Sequence, residues 1–417
     1  MLKTPKSLRL QIGLFGRTNI GKSSFLNMVS GQDVAIVSEK PGTTTDVVEK
    51  SMELLPVGPV VFLDTAGIDD VSELSDLRIG KTKKIFDRAD IILLLTESNE
   101  WGRYEENILS EAKTRNVSVI IVVNKIDLKY PSESFSNKIK GLTDKFLLCS
   151  SVDKAKRDKY VNDLKKHIIE CCPDDFLNPP ALIGDLLPKG GLAVLIVPID
   201  LEAPKGRIIL PEVQTIRDAL DNNQASLVVK ESEYPGVLDK FKSLPDIVVC
   251  DSQVVSHMVT NTPDSVDCTT FSILFSRYKG DLLVAASDAA TIKSLKAKDR
   301  VLIAEACSHH PIQDDIGRVK IPYWLREYVG AELDIDSCAG RDFPQDLEKY
   351  KLIIHCGGCM ITRREMLFRL QKARAQGVAI TNYGVTISML AGVLERVLSP
   401  FPNVFDAFRN QSIKQEK

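Results

Sequence analysis

Gly16-Arg17-Thr18-Asn19-Ile20-Gly21-Lys22-Ser23 is the stretch that decides the fold of the first third of the chain. Before it, Leu8-Arg9-Leu10-Gln11-Ile12-Gly13-Leu14-Phe15 is a mostly apolar run, and after it Ser23-Ser24-Phe25-Leu26-Asn27-Met28-Val29 has apolar residues at helical spacing. Strand, glycine-bearing loop and helix, in that order, form a phosphate-binding loop. Gly16 and Gly21 let backbone N–H groups wrap phosphates, the helix N-terminus adds partial positive charge, and Lys22 supplies a point charge near the β and γ oxygens. Ser23 offers its hydroxyl to Mg²⁺, with Ser24 beside it in the first helical turn.

A loop of this kind alone can be fortuitous, but two further motifs follow in order. Val60-Val61-Phe62-Leu63 runs into Asp64-Thr65-Ala66-Gly67, predicting a strand end where Asp64 holds the metal through water and the Gly67 N–H meets the γ-phosphate. Thr44, within Pro41-Gly42-Thr43-Thr44-Thr45-Asp46, is the expected second hydroxyl on Mg²⁺. Lys22, Thr44, Asp64 and Gly67 form the expected catalytic group. The apolar strand Val117–Val123 ends in Asn124-Lys125-Ile126-Asp127, whose last carboxylate can pair with the N1–H and N2 amino group of guanine. Adenine offers no such pair of donors. Cys149-Ser150-Ser151 falls where a short base-contacting turn is expected, adding Ser150 and Ser151 to the nucleotide contacts. The expectation is a Mg²⁺-dependent site for GTP and GDP.

The chain has 417 residues, enough for two or three domains, and a net charge of −2. Nothing in that balance suggests a general surface for nucleic acid or anionic membrane. No apolar stretch approaches the ~20 residues that span a bilayer, and Met1-Leu2-Lys3-Thr4-Pro5-Lys6 lacks a signal-peptide core. A cytoplasmic protein is expected, with its nine cysteines reduced or bound to metal.

Gly-Arg-Thr-Asn-Ile-Gly-Lys-Ser-Ser-Phe-Leu-Asn, together with Ala35-Ile36-Val37-Ser38 and Gly42-Thr43-Thr44-Thr45-Asp46, resembles the loop and switch of the tRNA-modifying MnmE/TrmE and Era-like GTPases. Ile68 follows the second motif where Ras-like enzymes keep a water-orienting glutamine, and an isoleucine cannot hydrogen-bond water. In the resembled group a loop asparagine helps hold K⁺, which supplies positive charge where an arginine finger would sit. Asn19 matches that position, so K⁺-stimulated hydrolysis is what the resemblance implies; the plainer reading is that Asn19 caps the loop.

Asp174-Asp175-Phe176-Leu177-Asn178-Pro179-Pro180 breaks the alternation of strands and helices and reads as a linker. Leu192–Ile199, Ala225–Lys230 and Asp246–Asp251 then read as strands, with helices over 213–221 and 236–243. A sheet that small has exposed edges, so pairing with another copy is expected. A third unit carries strands at Arg300–Glu305, Glu332–Ser337, Lys351–His355 and Val378–Asn382 and a helix over 365–376; residues after Pro400 read as a loosely held tail. The fold class is α/β in three domains: a P-loop GTPase domain over 1–173, a small α/β dimerisation domain over 181–265, and an α/β iron–sulfur cluster domain over 266–417.

In the third unit Glu305-Ala306-Cys307-Ser308-His309-His310 follows one predicted strand and His355-Cys356-Gly357-Gly358-Cys359 another. Strand ends of a parallel sheet lie on one edge, where ligands collect. The two-residue spacing lets both sulfurs of Cys356 and Cys359 reach one metal centre, and the glycines leave N–H groups free to approach sulfide. A redox dithiol would not need Cys307 or the histidines, whereas a structural zinc, needing four of these ligands, is a rival.

This combination resembles the [FeFe]-hydrogenase maturation GTPases over essentially the whole chain, with Cys307-Ser308-His309 and His355-Cys356-Gly357-Gly358-Cys359 matching their iron–sulfur signature and Lys189-Gly190-Gly191 through Pro204-Lys205-Gly206-Arg207 their dimerisation segment. The resemblance implies a GTP-hydrolysing scaffold with a [4Fe–4S] cluster on Cys307, Cys356 and Cys359, which carries a diiron precursor and delivers it to the hydrogenase. It also implies a homodimer or higher oligomer, and the radical-SAM maturases HydE and HydG as partners. Three thiolates leave one iron to His309, His355, Glu305 or water. The alternative is a tRNA-modifying or ribosome-associated GTPase with a C-terminal zinc module, which a balanced charge and 6% aromatics do not favour.

Overall fold

The computed structural model describes residues 4–31, 48–64, 83–199, 208–306, 315–340 and 342–415. These divide into two compact units, residues 1–179 and 180–417.

The first unit is a six-stranded sheet in the order β2-β3-β1-β4-β5-β6. Its strands are β1 (Leu10–Gly16), β2 (Val48–Leu54), β3 (Gly58–Asp64), β4 (Ile91–Glu97), β5 (Ser118–Asn124) and β6 (Phe146–Leu148). Only β2 is antiparallel, to β3; the other pairs are parallel. Parallel strands covered on both faces read as unbroken apolar runs, and β1 is buried along its whole length. Leu10, Ile12 and Leu14 meet Phe25, Leu26 and Val29 of the helix Lys22–Ser30 and Leu164 and Ile168 of the helix Arg157–Cys171. On the opposite face, Phe15, Ile92 and Leu94 meet Ile108 and Ala112 of the helix Arg103–Thr114. Each such aliphatic or aromatic side chain contributes about 1.5–3 kcal/mol of burial.

The second unit holds two four-stranded parallel sheets, β10-β9-β7-β8 and β12-β11-β13-β14. The first consists of β7 (Leu192–Ile196), β8 (Ala225–Val229), β9 (Ile247–Cys250) and β10 (Asp267–Thr270). The second consists of β11 (Arg300–Ala304), β12 (Asp334–Cys338), β13 (Leu352–His355) and β14 (Ala379–Asn382). One apolar core runs through both, from Val194 and Val248 to Ile303 and Ile354.

The middle sheet takes its fourth strand from residues 267–270, past the boundary expected at 265. Asp267-Cys268-Thr269-Thr270 is too short and too polar to show a strand period. The helix expected over 236–243 lies earlier, at Tyr234–Leu238, with Pro235 in its first turn. The tail expected after Pro400 is instead the helix Pro402–Gln415, which packs on the helix Leu282–Ala289 and buries Phe408. Phe401, Phe405 and Phe408 recur at helical spacing and carried that signal.

Candidate functional site

The phosphate loop leaves the C-terminal end of β1, and the register aligns Leu14 with Asp64 and Glu97 with Asn124. All three nucleotide motifs therefore share one sheet edge. Gly21 has φ of +91° and caps the helix that Lys22 opens; a Cβ there would lie 2.7 Å from Asn124 Nδ2, so the position favours glycine. Lys22 is buried, its ammonium donating to the carbonyls of Gly16 at 2.8 Å and Arg17 at 3.2 Å. Ser23 and Ser24 are exposed at the mouth.

Asn124 and Lys125 bind the site to itself. Asn124 Nδ2 donates to the Ile20 carbonyl at 2.9 Å, and its Oδ1 accepts from Ser151 N at 3.1 Å and Ser151 Oγ at 2.8 Å. Lys125 Nζ donates to the Asn19 carbonyl and to Glu97 Oε1, both at 2.6 Å. Asn19 is exposed with φ of 62°. Asp127 is exposed, and Ser150 Oγ is buried without a hydrogen-bond partner among the described residues. Asp64 is 1% exposed at the end of β3, with Lys50 Nζ at 3.9 Å. Thr44 and Gly67 lie outside the described residues.

Two supports of this loop have no local signature in the sequence. Arg17 makes a two-pronged contact with Glu105, 2.8 Å from Nε to Oε1 and 2.7 Å from Nη2 to Oε2, and the Gly16 N–H donates to Tyr104 Oη at 3.1 Å. Glu105, buried at the start of the helix Arg103–Thr114, also accepts from Gly102 N at 2.9 Å.

At the second sheet the register sets Ala304 beside Cys338 and His355, and His355 beside Asn382. Cys356 thus follows a strand end, where its Sγ accepts from the Ala306 N–H at 3.0 Å. Gly358 turns the loop with φ of +65° and brings Cys359 back, half-buried like Cys356. Cys307 and His309 lie outside the described residues, although Ala306 brings the chain to this edge. Among the described residues, no group of three or more metal-ligating side chains comes together.

Lys279, which ends the helix Phe271–Lys279, lies beneath the cysteine loop and is 1% exposed. Its ammonium donates to the carbonyls of Ile361 at 2.8 Å, Cys359 at 3.2 Å and Gly358 at 3.4 Å. Burial pushes this ammonium down to about 8, while charge on Cys359 and Cys356 works the other way. Burial pushes the Cys359 thiol up, and Lys279 and nearby backbone N–H groups oppose that.

His355 is buried, and both ring nitrogens are engaged. Nδ1 lies 2.7 Å from the Cys356 carbonyl, and Nε2 lies 3.0 Å from Arg369 Nη1. Nδ1 carries the proton, since Arg369 can only donate. Burial first, then the Arg369 charge, pushes the imidazole down to about 3, so it is neutral. Arg369 is itself held by Gly340 O at 2.8 Å and Glu365 Oε1 at 3.2 Å. Glu305, 2% exposed, accepts from Arg318 Nη2 at 2.9 Å and Nε at 3.2 Å. Arg369, Arg318 and Lys279 were not marked by spacing, because each acts across the fold.

Comparison with known proteins gives matches along most of the chain. Residues 182–280 match the Hydrogen maturase F dimerization domain and residues 284–400 the Hydrogen maturase F tetramerization domain. Residues 11–125 match a family described as 50S ribosome-binding GTPase. The tRNA modification GTPase MnmE of Prochlorococcus marinus (strain NATL1A) is 36% identical over 165 residues, covering 39% of this chain and 34% of the relative. That of Cyanothece sp. is 40% identical over 121 residues, covering 28% and 26%. The chain thus spans about a third or less of the curated relatives it matches, and only through the first unit. Among solved structures, Era of Aquifex aeolicus bound to GDP and AlF4− aligns at 28% identity and a TM-score of 0.32, covering 39% of this chain and 57% of that one.

Proposed function

The chain belongs to the hydrogen maturase F family, a hydrogenase-maturation GTPase architecture, and on that premise we propose that it is a GTP-hydrolysing iron–sulfur carrier. In this reading Cys307, Cys356 and Cys359 hold a [4Fe–4S] cluster, and the protein delivers a diiron precursor of the hydrogenase active site. The observation that carries it is the Cys356–Cys359 turn at a parallel-sheet edge, with a backbone N–H on one sulfur and a buried cation behind the loop. Such a donor set fits an anionic cluster, which would supply exchangeable iron coordination for the cargo. Three thiolates would leave one iron to His309, His355, Glu305 or water; Arg369 on His355 and Arg318 on Glu305 Oε2 weigh against those two, and an exchangeable ligand there would let the cargo attach.

In the first unit the residues divide the work on GTP. Lys22 would exchange its carbonyl partners for β and γ oxygens, and Ser23, Thr44 and Asp64 would hold Mg²⁺. When bound, Mg²⁺ would supply positive charge against that developing on the phosphates. Asp127 selects guanine, while Asn124 and Lys125 keep the loop and the base turn in register. Asn19 contributes to a K⁺ site. Self-association, which the dimerization and tetramerization matches support, runs through the middle sheet, whose edge strand β8 exposes Val228. HydE, HydG and the hydrogenase are the partners of this reading.

Anaerobic iron and sulfide analysis of the purified protein tests the carrier. A brown protein bleached by dithionite supports it, and a colourless one with stoichiometric zinc supports the zinc-module GTPase instead. Asp127→Asn should swing preference from guanine to xanthine nucleotides by on the order of 10⁴. Equal GTP turnover in Na⁺ and K⁺ would remove the Asn19 role.

A further inference from the structure

Lys279 sits where a charge is hard to keep. Its ammonium is buried against the Phe275 ring, 5.9 Å from the centroid, and is fixed by the carbonyls of Gly358, Cys359 and Ile361. Tying three carbonyls does not require a full charge: a neutral amide in the same place could donate to two of them at a smaller desolvation penalty. The carbonyls and the Phe275 ring offset part of the cost of burying this charge, and a nearby opposite charge offsets more of it. Its bond to the Cys359 carbonyl at 3.2 Å puts the ammonium on that residue, and among the described residues the thiols of Cys359 and Cys356 and the Glu365 carboxylate are the acidic groups that act on it electrostatically. Glu365 is already paired with Arg369 at 3.2 Å. The remaining partners are the two sulfurs, which become negative when they bind metal.

We propose that Lys279 is a positioning residue of the cluster loop, which clamps the Gly358–Ile361 turn and sets a fixed positive charge against the Cys356 and Cys359 sulfurs, raising the reduction potential of the group they carry. The inference rests on the cluster reading above. It also joins two segments. Lys279 belongs to the stretch matching the dimerization domain, and the cysteines to the stretch matching the tetramerization domain. Arg363, from the cysteine side, returns the contact by donating to Tyr278 O at 2.6 Å and Gly280 O at 3.2 Å. The end of the 271–279 helix and the cysteine loop therefore form one block, and the counter-charge comes from outside the sheet that presents the sulfurs.

The test uses the full-length protein with Lys279→Met, Lys279→Gln and Lys279→Arg. After anaerobic reconstitution, all three should bind iron and sulfide near the parent level. The midpoint potential should move to more negative values in the Met and Gln variants and return toward the parent in Arg. In metal-free protein, alkylation of Cys356 and Cys359 by iodoacetamide should slow several-fold in Met and Gln, because a thiolate loses its cation, and recover in Arg. Parent-like potential and alkylation in Lys279→Gln would overturn the proposal, since holding the carbonyls would then suffice. If Lys279→Met fails to melt as a folded protein, the Gln and Arg pair decides. Absence of iron and sulfide from the parent would sink the cluster reading instead, and the alkylation rates would still decide whether Lys279 acts on the sulfurs.

Discussion

Lys22 in the phosphate loop and Lys279 beneath the cysteine loop both spend their ammonium on backbone carbonyls, Gly16 and Arg17 for one, Gly358, Cys359 and Ile361 for the other. Lys22 opens a helix at the mouth of its loop, beside the exposed Ser23, and its partners belong to the loop that incoming phosphates enter. Lys279 ends a helix, is sealed under its loop, and holds residues 79 to 82 positions further along. A site that binds and releases its ligand each cycle keeps its charge on contacts that can be exchanged. A site built to retain a group keeps its charge on contacts that cannot.

The sharpest break of this comparison is in the sulfurs. Cys356→Ser or Cys359→Ser should abolish cluster iron, because a hydroxyl is a poor substitute for thiolate, while GTP turnover in the first unit continues. Iron, sulfide and phosphate release measured on one preparation check both halves. Next comes Lys22→Met, which should lower GTP turnover by about 10²–10³, the usual loss when one preorganised donor to a developing charge is removed. Its melting temperature should fall less than that of Lys279→Met, since one of the two carbonyls it leaves belongs to the exposed Arg17, which water can reach. A large drop in melting temperature would mean that Lys22 is as structural as Lys279.

The GTPase domain was legible because each of its motifs is local: a glycine loop, a carboxylate at a strand end, and the tetrapeptide Asn124-Lys125-Ile126-Asp127. Even there Asn124 reads differently in three dimensions, its amide being taken up by Ile20 and Ser151. The cysteine loop was legible by spacing alone, and its surroundings were not. His355 looked like a free ligand until Arg369, one helix away, filled its second nitrogen. Lys279 closes an apolar helix, where a basic residue in the last turn is ordinarily a solvated partner for helix carbonyls. Long-range pairs of this kind leave no period in a sequence, so the chemistry of a site can be read earlier than its electrostatics.

A smaller effect sharpens the contrast from the first unit. Arg17→Met would leave the Glu105 carboxylate, 1% exposed, with only the Gly102 N–H of its described donors. The Arg17 side chain is 42% exposed, so solvent screens part of the loss, and about 1–2 kcal/mol is expected. The transition to follow is the one that GDP shifts upward, which identifies the first unit in a chain that need not unfold in one step.

The smallest effect concerns a half-buried carboxyl that no ligand needs. Asp288, on the helix Leu282–Ala289, accepts from the Ile380 N–H at 2.9 Å and so ties that helix to β14. Burial raises its pKa above the ordinary 3.8, the Ile380 bond and Arg374 opposing this only in part. A carboxyl raised in the folded state favours folding most when protonated, below the unfolded value, and that contribution is lost as pH rises through the folded pKa. Above its folded pKa Asp288 is therefore charged at a cost. Asp288→Asn keeps an oxygen for Ile380 and removes the charge, so it should protect the β14 amides in native-state hydrogen exchange by less than about 1 kcal/mol at pH 7. The gain over the parent should shrink as pH falls through the raised pKa of the parent carboxyl. If Asp288→Asn instead loosened β14 at pH 7, its negative charge would be wanted after all. The contrast between Lys279, retained for what it faces, and Asp288, tolerated for the bond it makes, would then fail.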